Sequence, residues 1–220
     1  GSEMCIRDSL PTTMTLGVCA ITFAILLSVP LGVAAAIRPN SFIDRIALFL
    51  SVMGQALPSF WFALMLIIFL SVSLRLLPTS GSDTWLHFVM PTVVLGYYAA
   101  PAIMRLTRTG MLEVLSTDYI RTARAKGLTE RNVVIKHAMQ GGLIPVVSFL
   151  GPAIAGLLAG SFVVETIFQI PGLGRFYVQA ACNRDYTMIL GTTVVLSALI
   201  VIFNLVSDVL AAWMDPRLRT

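Results

Sequence analysis

Apolar residues fall into five long runs, and one polar stretch divides them. The runs cover residues 10–37, 46–74, 88–104, 143–164 and 188–213. A helix needs about 20 apolar residues to cross about 30 Å of hydrocarbon, so each run predicts one span, the third being the shortest. Helices satisfy their own backbone polar groups in lipid, and the alternation of an outer-membrane barrel is absent. The pattern predicts an all-α, polytopic transmembrane helix bundle with five spans. No internal repeat supports an inverted-repeat carrier. Residues 1–9 do not share the pattern: the chain does not begin with Met, and this piece holds neither an apolar core nor a signal-cleavage site. It is set apart as a foreign or misassembled tail. The transmembrane domain then covers 10–213, with a polar loop at 105–142 and a tail at 214–220.

The polar loop is the most punctuated part of the chain. Its centre reads Asp118-Tyr-Ile-Arg-Thr-Ala-Arg-Ala-Lys-Gly127. Ser116 or Thr117 can cap a short helix. Asp118 sits near the positive helix start, and Arg121, Arg124 and Lys126 crowd its negative end. Gly127 can turn left-handed and stop the helix. Thr129 can cap a second one, which Gly141 and Gly142 end. So short a helix is marginal alone in water, which suits a segment that docks in a partner's groove. Ala123, Ala125 and Gly127 allow close approach, with Tyr119 and Ile120 as apolar anchors. A solvated basic loop fits the same residues.

Composition agrees with a membrane protein: 57% of residues are hydrophobic and 12% charged, against about 25% charged in a soluble domain. The net charge of +4 does not point to nucleic acid, because topology explains it. Arg38, Arg45, Arg105, Arg108, Arg121, Arg124, Lys126, Arg131, Lys136, Arg217 and Arg219 fall in segments on one side of the five spans. Only Arg7, Arg75, Arg175 and Arg184 fall on the other. The positive-inside bias therefore puts the loop and the C-terminus in the cytoplasm. That leaves the N-terminus outside, and an upstream span is expected to resolve it.

Proline and glycine are frequent inside the runs. Pro145 and Pro152 are expected to kink the fourth span, and Gly156 with Gly160 forms a small-xxx-small pair for close helix packing. Asp208, one turn after Asn204, is expected to hydrogen-bond another helix, since a central Asp is costly in lipid. Glu165 ends the fourth span, at the external mouth or the interface. Three cysteines, Cys5, Cys19 and Cys182, supply no C-x-x-C pair and no metal site. The phosphate-binding pattern G-x-x-x-x-G-K-S/T is absent, as is G-x-S-x-G. The only histidines, His87 and His137, lie outside the spans. No catalytic or metal residue is assigned. A stand-alone channel or carrier would need ionisable residues along its path, and few exist. A scaffold whose basic loop binds anionic lipid is a second rival.

The stretch Tyr119-Ile-Arg-Thr-Ala-Arg-Ala-Lys-Gly127-Leu, with His137 and Ile144-Pro145-Val146, strongly resembles the inner-membrane permeases of ABC importers, and among them the dipeptide/oligopeptide/nickel subfamily. Other stretches agree with it in order: Leu10-Pro11-Thr12-Thr13, Pro30-Leu31-Gly32-Val33, Leu57-Pro58-Ser59-Phe60-Trp61, Val164-Glu165-Thr166-Ile167-Phe168 with Pro171-Gly172-Leu173-Gly174, Arg184-Asp185-Tyr186, and Asp215-Pro216-Arg217. The resemblance covers essentially residues 10–219. It implies a type I ABC importer transmembrane domain without enzymatic activity, binding no cofactor itself, with ATP and Mg in partner ATPases. Implied partners are a second permease subunit in a heterodimer, two ATP-binding cassette subunits, a substrate-binding protein outside and the lipid of the inner membrane. Implied ATPase-coupling residues are Tyr119, Arg121, Thr122, Ala123, Ala125 and Gly127. Glu165, Pro171, Gly172 and Gly174 mark an external gate or docking loop. The general coupling signature begins Glu-Ala-Ala and closes on Leu-Pro. Here Arg121 replaces the Glu, and Met139-Gln140 stand where Leu-Pro would. Peptides are the expected cargo, with nickel or glutathione as alternatives.

Overall fold

The computed structural model describes residues 2–214. The C-terminal motif Asp215-Pro216-Arg217 and the rest of the tail lie outside the described residues. Helix α1 (Ser2–Ile37) turns into α2 (Phe42–Ala56), then α3 (Ser59–Leu66) with a π-helical continuation (Ile67–Ser73). After a connection at 74–85 comes α4 (Leu86–Leu115). The polar segment forms α5 (Asp118–Ala125), α6 (Glu130–Asn132), a π-helical stretch (Val133–Ala138) and α7 (Met139–Gly142). The chain closes with α8 (Ile144–Ile167), α9 (Leu173–Asn183) and α10 (Tyr186–Met214). Helix α1 starts at Ser2, so no backbone break separates residues 2–9 from the first apolar run.

By length and composition α1 (from Met4), α4, α8 and α10 can each cross a membrane. The second predicted span is different: α2 and α3 meet at 102°, and only as a pair do they pass the same test. The break follows from Pro58. It has no N–H to donate, and its ring drives the preceding residue out of the helical region; Leu57 is extended at φ −87°, ψ 126°. The third predicted span also needs correction. Helix α4 runs on through Arg105 to Leu115, so the loop begins at Ser116 rather than at 105. Thirty residues at 1.5 Å each give about 45 Å, more than the hydrocarbon requires. Pro145 does not kink α8. It sits in the first turn, where a missing N–H is harmless.

Helices α1 and α4 run side by side in the same direction and form the centre. Small residues set their spacing: a Cβ on Gly96 would stand 2.8 Å from the Ala20 carbonyl oxygen, and one on Gly32 2.9 Å from that of Met104. Around this pair a core gathers Leu16, Ala20 and Ala24 of α1, Met90, Val94 and Ile103 of α4, and Leu157 and Val164 of α8. The expected packing pair Gly156 and Gly160 has no such role within the chain. No atom lies within 4 Å of a Cβ on Gly156, and only Leu95 Cδ2, at 4.0 Å, approaches Gly160. The close approaches on α8 use Gly151, against Asn204 and Ser207 of α10. Large apolar side chains stand exposed on the outside, among them Phe49, Val52, Leu190, Val201 and Leu205. Such a surface suits lipid or another membrane helix.

Candidate functional site

The polar segment lies at one end of the bundle, below the last turns of α4 and the first turn of α8. Ser116 and Thr117 do not cap α5 with their side chains. Their hydroxyls donate back to the Glu113 and Val114 carbonyls at 2.7 and 2.6 Å, closing α4. Thr117 and Thr129 stand at the N-cap positions with extended backbones but give no side-chain cap bond. Gly127 has φ +81°, with nothing within 4 Å of a Cβ placed there. The left-handed turn is what requires glycine. Arg124 reaches across that turn to Glu130, at 2.8 and 3.4 Å, tying α5 to α6. The Asp118–Arg121 pair is fully in solvent and contributes little.

Helix α5 shows two faces. Ile120 and Ala123 are buried and pack with Ala36, Met111, Val133, Val134 and Ala138. They anchor α5 to its own chain. Tyr119, Arg121, Thr122, Ala125 and Gly127 are exposed. Tyr119 also borders a cleft of about 470 Å³ lined by Glu113, Lys136, His137 and Gln140. Thus five of the six coupling candidates are accessible.

The opposite end of the bundle carries a different arrangement. Glu165 is fully buried. One carboxyl oxygen accepts the Thr13 hydroxyl at 2.9 Å; the other accepts the Gly174 and Arg175 N–H groups at 2.8 and 3.2 Å. Thr13 Oγ1 in turn accepts the Leu173 N–H at 2.8 Å. Free N–H groups of a helix start need acceptors. Here two other helices supply them, because the N-cap residue of α9 is Gly172, which has no side chain. The glycines are steric requirements: a Cβ on Gly172 would collide with the Glu165 carboxyl, and one on Gly174 would stand 2.6 Å from Phe162 Cα. Glu165, Gly172 and Gly174 are therefore one structural unit with Thr13, whereas Pro171 stays exposed beside it. At the other end of α9, Arg184 adopts φ +59° as its C-cap, and Asp185 accepts the Met188 N–H at 3.1 Å, starting α10.

Asp208 does not bond another helix: it is exposed and forms no hydrogen bond among the described residues. Its neighbour Ser207 does so instead, donating to the Val147 carbonyl at 2.6 Å. Sequence reasoning passed over Asp44 and Arg108. Arg108 reaches Asp44 with two bonds, at 2.6 and 2.9 Å. The visible signal was Ser41-x-x-Asp44, a helix-start pattern whose Ser41 Oγ accepts the Asp44 N–H at 3.3 Å.

A bundle of helices long and apolar enough to cross a membrane, with a short half-exposed helix at one end, is the arrangement of a polytopic membrane protein. Residues 28–220 match the family of the binding-protein-dependent transport system inner membrane component, and the chain belongs to that family. Over 97% of its length it is 42% identical to the dipeptide transport system permease protein DppB of Bacillus subtilis, covering 70% of that protein. It is equally identical to the oligopeptide permease AppB of the same organism, covering 71% of it. The glutathione permease GsiC of Pectobacterium atrosepticum is 41% identical over 94% of the chain and 68% of that protein. Among solved structures, the inward-facing MetNI methionine ABC transporter superposes with a TM-score of 0.79 at 20% identity, covering 97% of each chain. The fold is that of type I ABC importer transmembrane domains.

Proposed function

We propose that the chain is one of two permease subunits of an ATP-driven importer for di- or oligopeptides in a bacterial or archaeal inner membrane. The observation that carries this reading is the 42% identity to dipeptide and oligopeptide permeases over nearly the whole chain. Glutathione, itself a small peptide, is the second reading, favoured by the glutathione permease at 41%. ATP and Mg belong to two partner ATPase subunits, and a binding protein delivers substrate from outside. In this reading the exposed side of α5, with Tyr119, Arg121, Thr122, Ala125 and Gly127, seats in a cleft of an ATPase subunit. The two permeases alternate between states that the ligands bias differently.

The loop and C-terminus face the cytoplasm in this reading. Support comes from the Lys and Arg bias together with the Ser207–Val147 bond, which brings the end of α10 to the same end of the bundle as α5. The far end, with Pro171 and α9, then faces outward as a docking platform for the binding protein. Support for the second permease lies in the face of α8 where Pro152, Gly156, Ala159 and Val163 are exposed and nothing lies within 4 Å of a Cβ on Gly156.

A photo-crosslinking residue at Ala125, in the full-length protein in its own membrane, is expected to capture an ATP-binding subunit. Capture of lipid alone would remove the coupling role. Gly127→Trp is expected to keep insertion and folding close to normal, since the space around it is empty, with a backbone cost of about 1 kcal/mol. Peptide-stimulated ATP hydrolysis is expected to fall sharply in that variant; unchanged stimulation would count against the docked face. Uptake of labelled dipeptide against labelled glutathione separates the two substrate readings.

A further inference from the structure

Helices α2 and α4 run antiparallel, and a polar seam joins them along one side. At its loop end, the Arg108 guanidinium makes two bonds to the Asp44 carboxyl, which is 2% exposed and also accepts the Asn40 N–H at 2.8 Å. Two turns along, Arg105 donates to Ser51 Oγ at 2.6 Å, and Ser51 donates to the Pro101 carbonyl at 3.3 Å. Further on, Gly54 lets the backbone of α2 lie against the Pro101 ring, where a Cβ would stand 2.6 Å from Cγ. Contacts at three successive levels fix both the register and the distance of the two helices. Two bonds from a planar guanidinium also fix orientation, which a point charge would not. Beyond the seam the chain breaks at Leu57-Pro58, and α3 leaves at 102°. Helix α4 is also the element that leads directly into α5.

We propose that Asp44 and Arg108 are positioning residues that make α2 travel with α4, so that a displacement of α5 reaches α2 and is taken up at the Leu57-Pro58 break. The inference rests on the reading of α5 as the ATPase contact. A push on α5 enters α4 within one short turn, since only Ser116 and Thr117 separate them. The seam then passes it sideways to α2. No hydrogen bond of the seam includes α3, which meets α4 through the Phe62–Tyr97 ring contact at 4.7 Å instead, so the two halves of the broken span are held to α4 by different means.

The test uses the full-length permease reconstituted with its partner permease, ATPases and binding protein. Asp44→Arg and Arg108→Asp are made singly and together, and ATPase co-purification is scored beside the ratio of peptide-stimulated to unstimulated ATP hydrolysis. Each single reversal is expected to lower that ratio by about fivefold or more while the ATPases still co-purify. The double reversal is expected to restore it to within about twofold. A normal ratio in assembled single variants, or no recovery in the double variant, overturns the proposal. Should the single variants fail to fold, Ala47→Cys with Met104→Cys supplies the second measurement, in a background without Cys5, Cys19 and Cys182. Ala47 and Met104 share a small buried cluster along the seam. Oxidising that pair is expected to leave stimulated hydrolysis unchanged; a loss reversed by reductant means that α2 and α4 slide, and overturns the proposal. Absence of ATPase co-purification with the unaltered chain would instead refute the coupling reading itself.

Discussion

Glu165→Ala is expected to destabilise the protein more than any other single change to a polar side chain at the far end of the bundle. The carboxyl accepts three donors, from Thr13, Gly174 and Arg175, and it is fully buried. An alanine would leave two buried donors and one partly buried donor unpaired, at about 1–3 kcal/mol for each buried one. The sum is roughly 3–5 kcal/mol after the local structure relaxes. Glu165→Gln keeps one acceptor for the α9 N–H groups and turns a donor toward Thr13, so its loss is expected to be about half. Two measurements check this: the midpoint of thermal unfolding in detergent, and amide hydrogen exchange at Gly174 and Arg175. Wild-type exchange at those amides in Glu165→Ala would sink the argument. The same geometry decides how α9 behaves. A segment fastened by one side chain to both α1 and α8 is a fixed shoulder, and lifting it alone would expose the same stranded donors. That favours a docking platform over a moving gate at Pro171, Gly172 and Gly174.

Hydropathy made the helical class and most of the crossing segments legible, because lipid permits few alternatives. What it missed were features decided by single residues against the run. The run at 46–74 is apolar throughout, so it hid the break that Pro58 imposes on Leu57. The run at 88–104 ends at Arg105, yet α4 continues, because Ser51 and Asp44 accept bonds from the two arginines that follow. Partners 54 and 64 residues away in sequence leave no local trace of the pairing. Around α5 the punctuation was readable: Gly127 does turn left-handed, and the helix stops there. Which face of α5 looks outward was not, since Ile120 and Ala123 are buried by Met111 and by residues 133–138, which are distant in the pattern. Glu165 could be singled out as a carboxyl in an apolar context, but its acceptor role depends on Thr13 and on glycines that leave room for its carboxyl.

Gly110→Leu and Gly156→Leu are expected to fail in opposite ways, although both place leucine on a long apolar helix. A Cβ on Gly110 would collide with the carbonyl oxygen of Gly142, and a Cβ on Gly142 would meet Met111 Sδ at 2.6 Å. Here the last turns of α4 touch α7 backbone to backbone. Side chains of ordinary size hold helix axes about 8–10 Å apart, so a leucine at 110 must push α7 away. Overpacking of this kind costs about 3 kcal/mol, and it acts on the segment that holds α5. The expected result is reduced folded yield, and faster tryptic cleavage at Arg121 and Arg124 in what remains. Gly156 faces open space. A leucine there is expected to change the stability of the isolated chain by no more than about 0.5 kcal/mol, aided by its better helix propensity. Its effect is expected in association instead: the bare strip of α8 admits a second helix only while its residues stay small. Co-purification with the partner permease is therefore expected to drop in Gly156→Leu with the fold intact. If Gly156→Leu assembles normally, the second permease sits elsewhere. If Gly110→Leu folds with α5 protected, the contact of α4 with α7 does not hold the polar segment in place.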